Sequence, residues 1–480
     1  MNNAKDMQNS LKKVSLSKKV AWGAGGLADN YMLGVPNQLA MPIYNIGYGV
    51  SAVLIGFALA APRLLDVFFD ILVGNWSDNT RSKWGRRKPW MVAGVSICVF
   101  LLPLLWIPPF SSEQGRFIYF LILSSLYFLG YSLFVVPYTA MGYELTTDYE
   151  ENTKILAWRM YIGLIGSFTV PWVYKLCFLP IFGKNDLEGV KWVAVIVSGI
   201  IISVGLLPVI FCKENEKTFH QDKIPLKKAL IQAFKNKAFR MISVGYILIL
   251  WGLVSSMTIS IYVYIHVVCR ENKELASEIV GWCGSATALT SYLSLPLAGW
   301  FSVKFGKKEA MVLSLLIALL GISLYIFVLN PHVPFWSIHC FGRLFQIPYL
   351  QMIPAMVFGM GMQGAWLLIS AMISDVCDEE EWISGVRQEG IFSAVNSFSQ
   401  KVAMGGAALT GGLLLKWAGY TTGVSPTESI GQNLKWLYIG GQGLGIILAI
   451  VLFCFYPISR ARALETRRIL DERYHKNNQF

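Results

Sequence analysis

Three ionisable residues, Arg63, Asp66 and Asp70, lie inside one apolar run with i, i+3 and i+7 spacing. On a helix that spacing places all three on one face and sets the two carboxylates a turn apart. Burial and mutual repulsion both raise the proton affinity of one such carboxylate, unless a cation or a basic partner intervenes. The pattern is that of a proton or sodium site. The competing reading is a structural Arg63–Asp66 pair with Asp70 reaching the interface.

Ionisable side chains deep in apolar segments are costly, so each one is a functional hypothesis. Asp29 lies about ten residues into the first apolar run, roughly 15 Å at 1.5 Å per residue, near a bilayer midplane. Arg159 and Lys401 sit several residues inside the ends of two other runs. Lys401 is flanked by Ala403, Gly405 and Gly406, small residues that let helices approach closely. Its ammonium therefore calls for a carboxylate on another helix, with Asp66 or Asp70 the candidate. Snorkelling to the interface is the alternative for Arg159 and Lys401. Trp366 lies in the small-residue run Gly359, Gly361, Gly364 and Ala365, where an aromatic plane can face a cavity and stack on the apolar face of a sugar. Plain helix packing is its alternative.

The elements that must hold these residues follow from composition. Of 480 residues, 54% are hydrophobic and 15% charged, with a mean hydropathy of +0.50. That is too apolar for a soluble protein. At about 20 residues per span, about 259 apolar residues supply roughly twelve spans and leave nothing for a large extramembrane catalytic domain. Apolar runs of spanning length fall at 20–44, 51–76, 89–108, 116–142, 155–182, 191–212, 239–268, 276–301, 309–329, 345–373, 387–417 and 432–457. The expectation is an all-α protein with twelve transmembrane helices.

The net charge of +12 flanks the apolar runs, which points to a membrane surface and away from nucleic acid. Connections on the side of the N-terminus, with both tails, hold about 29 Lys and Arg against about 9 on the other side. Both termini are therefore expected in the cytoplasm, with the chain integral to a bacterial inner membrane. Lys12, Lys13, Lys18 and Lys19 precede a first run that continues past Asp29 and Pro36 with no cleavage pattern, so it reads as a span and not as a removed signal.

The longest polar stretch follows the sixth span and divides the chain into a six-helix bundle over residues 1–212, a cytoplasmic loop over 213–237 and a second bundle with a basic cytoplasmic tail over 238–480. An internal echo supports the division. Gly74-Asn-Trp-Ser-Asp78 with Gly85-Arg86-Arg87-Lys88 is repeated as Gly299-Trp-Phe-Ser-Val303 with Gly306-Lys307-Lys308. Ala140-Met141-Gly-Tyr-Glu144 is repeated as Ala371-Met372-Ile-Ser-Asp375, with Asp148 opposite Glu379. Duplicated bundles are a transporter architecture. In the loops beside these echoes, Asp78, Arg86, Arg87, Glu144, Asp375, Asp378 and Arg387, with Arg81, Lys88 and Glu379 to Glu381, are candidates for a cytoplasmic gate of ion pairs between bundles. Solvated charge is the alternative for this group.

Other chemistry is poorly supplied. Eight scattered cysteines form no CxxC pair, and His220, His266, His332, His339 and His475 are not at metal-ligand spacing. No Walker sequence, HExxH or Ser/His/Asp arrangement occurs. The expectation is no enzyme, no cofactor and no bound metal beyond a coupling ion, H+ or Na+, with Na+ at Asp66 and Asp70 if sodium is used.

The stretch from Arg63 to Trp90, with Gly26-Leu-Ala-Asp29, Arg159, Ser374-Asp375-Val-Cys-Asp378, Arg387-Gln-Glu389 and Lys401-Val-Ala-Met-Gly405-Gly406, resembles the glycoside-pentoside-hexuronide:cation symporter family of the major facilitator superfamily. The resemblance covers the whole chain. It implies the major facilitator fold, two pseudo-symmetric six-helix bundles, and cation-coupled symport of a small carbohydrate by alternating access. It puts the coupling cation on Asp66, Asp70 and Lys401, with the hydroxyl of Ser132 nearby, and puts the sugar on Asp29, Arg159 and Trp366. The bilayer is the only other partner it implies, with no obligate protein partner.

Three departures bear on coupling and specificity. The asparagine before the second aspartate in sodium-using relatives is Phe69 here, which removes an oxygen ligand that a hard cation wants and favours a proton. A sugar-binding aspartate is Val135 and a tryptophan four residues on is Thr139, so the family's disaccharide specificity is not carried over. Two rival readings are the same fold moving a lysolipid or organic ion, and a membrane sensor that transports nothing.

Overall fold

The computed structural model of the chain describes residues 14–146, 149–183, 185–212, 233–332, 334–340, 343–384, 389–423 and 426–477. Twelve long helices match the expected runs one for one. The first six are α1 (Leu16–Ala40), α2 (Ala52–Asn79), α3 (Lys88–Leu104), α4 (Glu113–Glu144), α5 (Tyr149–Thr169) and α6 (Asp186–Gly205). The others are α7 (Lys237–Val263), α8 (Lys273–Phe305), α9 (Lys307–Val328), α10 (Tyr349–Ser384), α11 (Glu389–Trp417) and α12 (Glu428–Cys454).

Among the described residues, seven helices are long and apolar enough to cross a membrane by length and composition alone. They are α2, α4, α6, α7, α9, α10 and α12, some with a turn added at one end. The shortest, α3, is apolar but has 17 residues. The remaining four are diluted by glycine, serine, threonine, asparagine and charge, the residues that a helix buried among others in a bilayer uses for close packing and polar contacts. Phe57, Phe100, Ile118, Leu320 and Phe327 stand largely exposed along their helices, a surface suited to hydrocarbon and not to water. The protein is integral to a membrane.

The helices fall into two compact units, Met1–His220 with Thr421–Val424, and Gln221–Tyr420 with Ser425–Phe480. Each unit uses the same pairing. In the first, α1 packs on α5 and α6, α2 on α4, and α3 on α4 and α6; in the second, α7 packs on α11 and α12, α8 on α10, and α9 on α10 and α12. The first helix of each unit also ends alike, α1 in a π-helical turn at Met41–Gly47 and α7 in one at Tyr264–Val268. Pro42, which lacks an N–H, disturbs the α-helical ladder in the first of these.

The crossings are made by small residues. A Cβ at Gly94 of α3 would lie 2.5 Å from the backbone nitrogen of Phe134 on α4, so the two backbones touch. At the equivalent crossing of α9 and α10, a Cβ at Gly361 would collide with the backbone nitrogen of Ala318. The α8–α10 contact is instead a ladder of hydroxyls. Thr287, Thr290 and Ser291 each donate at 3.1 Å to the carbonyls of Ala355, Met356 and Gly359, and Ser294 donates at 3.4 Å to that of Met360.

Three features depart from the sequence expectation. Residues placed in loops prolong helices: α2 runs through Asp78 and α10 through Asp375 to Glu381. Hydropathy marks where a helix leaves the apolar layer, whereas Asp and Glu at its end leave the backbone ladder intact. A two-stranded antiparallel hairpin, β1 (Trp336–Cys340) and β2 (Arg343–Ile347), precedes α10. Buried Glu278 of α8 accepts the Gln346 N–H at 2.6 Å and anchors it. The basic tail forms α13 (Arg460–Asn477), where Arg462 pairs with Glu379 and Arg460 donates to the Lys304 carbonyl at 3.0 Å.

Gly94→Val forces α3 and α4 apart, an overpacking cost of about 1–3 kcal/mol. Thermal unfolding of the detergent-solubilised protein will show a clear loss of stability. Gly199→Ala on α6, where a Cβ meets no atom within 4 Å, will be neutral or stabilising by up to about 1 kcal/mol.

Candidate functional site

The first unit gathers the ionisable residues into two clusters joined by α4. Asp66 is 1% exposed. Arg63 Nη1 lies 3.2 Å from Asp66 Oδ2 within a turn of α2. From α4, Ser132 Oγ lies 3.0 Å from Asp70 Oδ1 and 3.4 Å from Asp66 Oδ1, so one hydroxyl is within hydrogen-bond distance of both carboxylates and donates its single proton to one of them at a time. The Arg63 guanidinium stacks on the Phe128 ring, 4.1 Å from its centroid, which shields its charge from lipid.

The second cluster lies between α1, α4 and α5. Arg159 Nη2 is 3.0 Å from Asp29 Oδ2, and the Tyr131 hydroxyl donates to Asp29 Oδ1 at 2.8 Å. The Arg159 guanidinium also lies over Tyr138 and Trp22, 5.2 Å and 5.8 Å from their ring centroids. The approach of α5 depends on Gly26, one turn before Asp29, because a Cβ there would meet Arg159 Cγ at 2.7 Å. With side-chain exposures of 19% for Asp29 and 26% for Arg159, the pair stays open to a solute while its charges cancel.

Both sequence-derived groups in the first unit are thus assembled: Asp66, Asp70 and Ser132 in one place, Asp29 and Arg159 in the other. In the second unit Trp366 is half-buried, edge-on to Tyr246 of α7 with ring centroids 5.4 Å apart, and Lys401 is half-buried on α11. Three of the candidate gate residues, Asp78, Arg87 and Asp375, have a partner inside their own unit. Arg87 pairs with Asp78 at 3.2 Å. Lys307 pairs with Asp375 at 2.5 Å and donates to the Ala371 carbonyl at 3.0 Å. Arg86 and Asp378 are also engaged. Arg387 and Asp148 lie outside the described residues, and only the backbone of Glu144 is described.

Tyr131 was not among the sequence candidates, although it touches the central carboxylate of the second cluster. Its signal was available: Tyr131 and Tyr138 are i and i+7 on α4, one polar stripe on an otherwise apolar helix. Tyr138 donates to the Trp22 carbonyl at 2.8 Å, so the stripe faces α1.

The sequence model of the family described as MFS/sugar transport protein matches residues 21–460. The chain belongs to that family. It is 23% identical over 97% of both chains to the "Uncharacterized symporter YnaJ" of Bacillus subtilis (strain 168). It is 24% identical to the "Isoprimeverose transporter" of Lactiplantibacillus pentosus, over 93% of this chain and 90% of that one. Among solved structures, the D-xylose-proton symporter superposes with a TM-score of 0.60 at 14% identity, over 92% of this chain and 97% of that one. The chain is a membrane transporter of the glycoside-pentoside-hexuronide:cation symporter group with the major facilitator fold, and not an enzyme.

Asp29 and Arg159 compensate each other, so removing one leaves a partly buried charge unpaired. Asp29→Asn and Arg159→Gln will each destabilise the protein by about 1–3 kcal/mol, and the double variant by less than their sum. Unfolding of the three variants in detergent measures that coupling.

Proposed function

We propose that this transporter is a proton-coupled symporter of a neutral glycoside or pentoside. The observation that carries the reading is the Ser132 hydroxyl within hydrogen-bond distance of both Asp66 and Asp70, one turn apart. Two carboxylates that close do not both ionise readily without a cation. The proton is taken up by this pair, Asp66 and Asp70 together. The deep charges of the first unit are Arg63 and Arg159 against Asp29, Asp66 and Asp70, a net of one negative that a single proton cancels. Phe69, next to Asp70, offers no oxygen, and a hard cation wants more oxygen ligands than two carboxylates and one hydroxyl.

The substrate class follows from the second cluster. Asp29 accepts hydrogen bonds from sugar hydroxyls and Arg159 donates to them; in the second unit Trp366 offers an aromatic plane of the kind that stacks on a sugar's apolar face. Because Arg159 is already neutralised by Asp29, a hexuronide would bring a charge with no free counter-ion at this place. The name of the isoprimeverose transporter, 24% identical to this chain, supports a carbohydrate as the solute. The site is exposed alternately to the two sides of the membrane once both ligands are loaded, with sugar and proton affinities linked by about 1–3 kcal/mol. The setting is a bacterial inner membrane with both termini in the cytoplasm, and no protein partner is needed.

The test is sugar-induced alkalinisation of a lightly buffered suspension of expressing cells, over hexosides, pentosides and hexuronides, with and without sodium. Alkalinisation on adding a neutral glycoside or pentoside, absent in Asp70→Asn, is the expected outcome. Sodium-dependent uptake without alkalinisation overturns the choice of ion, and a response to hexuronides alone overturns the choice of substrate.

A further inference from the structure

Asp29 and the Asp66–Asp70 pair sit on different helices, α1 and α2, and the element between them is α4. Tyr131 and Ser132 are consecutive on α4, hence about 100° apart around its axis. That angle lets one look toward α1 and the other toward α2, and the contacts agree: Tyr131 reaches Asp29 at 2.8 Å, while Ser132 reaches Asp70 at 3.0 Å and Asp66 at 3.4 Å. The Tyr131 ring has a second neighbour. The Arg63 guanidinium that pairs with Asp66 lies 5.9 Å from its centroid. One tyrosine therefore touches the sugar-site carboxylate with its hydroxyl and the counter-ion of the cation-site carboxylate with its ring face.

We propose that Tyr131 is the positioning residue that couples the two sites: its hydroxyl donates to Asp29 and is displaced when a sugar hydroxyl takes that oxygen. This inference rests on the symport reading. Arg159 takes Asp29 Oδ2 and Tyr131 takes Oδ1, so a sugar hydroxyl that approaches Oδ1 along the lone pair used by Tyr131 takes the place of the Tyr131 hydroxyl. Displacement tilts the ring that Arg63 faces and shifts the Ser132 oxygen one residue away. Both changes alter how strongly the Asp66–Asp70 pair holds its proton. By linkage the proton alters sugar affinity to the same degree.

Tyr131→Phe tests this, because it keeps the ring over Arg63 and removes only the hydroxyl. Tyr127→Phe serves as the matched control. Tyr127, on the same helix, donates to the Met32 carbonyl of α1 at 2.9 Å, a backbone oxygen and not a carboxylate. Two quantities are measured in membrane vesicles with a transported glycoside: counterflow exchange at equal pH, which needs sugar binding and alternating exposure but no net proton movement, and accumulation driven by an imposed pH gradient. The expected result for Tyr131→Phe is counterflow within about threefold of the unaltered protein, accumulation reduced tenfold or more, and a sugar affinity that no longer varies with pH. Tyr127→Phe keeps all three. Counterflow and accumulation falling in proportion, or both remaining at the original level, overturn the inference. Absence of proton movement in the unaltered protein sinks the symport reading and this inference with it, whereas full coupling in Tyr131→Phe overturns this inference alone.

Discussion

Two carboxylates a turn apart in an apolar helix constrain everything around them. Their repulsion, undamped by water, has to be met by nearby charge and hydrogen bonds, and the first unit supplies both from helices that pack on α2 or from α2 itself: Arg63 within the helix and Ser132 across from it. For those partners to arrive, α4 must approach α2 closely and hold its register. The contact of α3 and α4 backbones at Gly94 fixes that register from the other side. Packing and electrostatics are therefore one problem in this unit: a shift of α4 that relieves a steric contact also moves the hydroxyl that lies within reach of Asp66 and Asp70.

The second unit repeats the pairing of helices but not the chemistry. At the spacing of the internal echo that carries Gly74 onto Gly299, Asp66 falls on Ser291. Where the first unit has an ion pair, the second has a hydroxyl donating to the Gly359 carbonyl as one rung of a ladder. Neutral hydrogen bonds of this kind tie helices together at little cost in a bilayer, because neither partner carries a charge to be desolvated. The duplicated scaffold has thus kept its crossings while its ionisable groups are concentrated in one half, with Lys401 the deep charge that the sequence marks in the other.

Much of this was legible in the sequence. Twelve runs of spanning length became twelve helices because hydropathy is decisive in a bilayer, where backbone groups must pair within the segment. Asp66, Asp70, Asp29 and Arg159 stood out because a charge in an apolar run is expensive, and expense is visible one residue at a time. Tyr131 did not stand out, since tyrosine carries no charge and its importance lies in what two other helices bring to it. The ends of α2 and α10 and the β1–β2 hairpin escaped for a related reason: hydropathy reports the solvent around a segment, whereas helix ends and hairpins are set by backbone hydrogen bonds. The anchor of the hairpin, Glu278, lies nearly seventy residues before its partner Gln346, beyond the reach of local pattern.

The mutual neutralisation of Asp29 and Arg159 has a consequence for traffic through the site. A pocket lined by a lone guanidinium would draw phosphorylated sugars and other anionic metabolites from a crowded cytoplasm whenever it opened inward, and would spend part of each cycle blocked by them. A pocket whose charges cancel at 3.0 Å exerts no such long-range pull. It still offers donors and acceptors to any solute that comes within hydrogen-bonding distance. Selection at such a place is made by contact and not by attraction from afar.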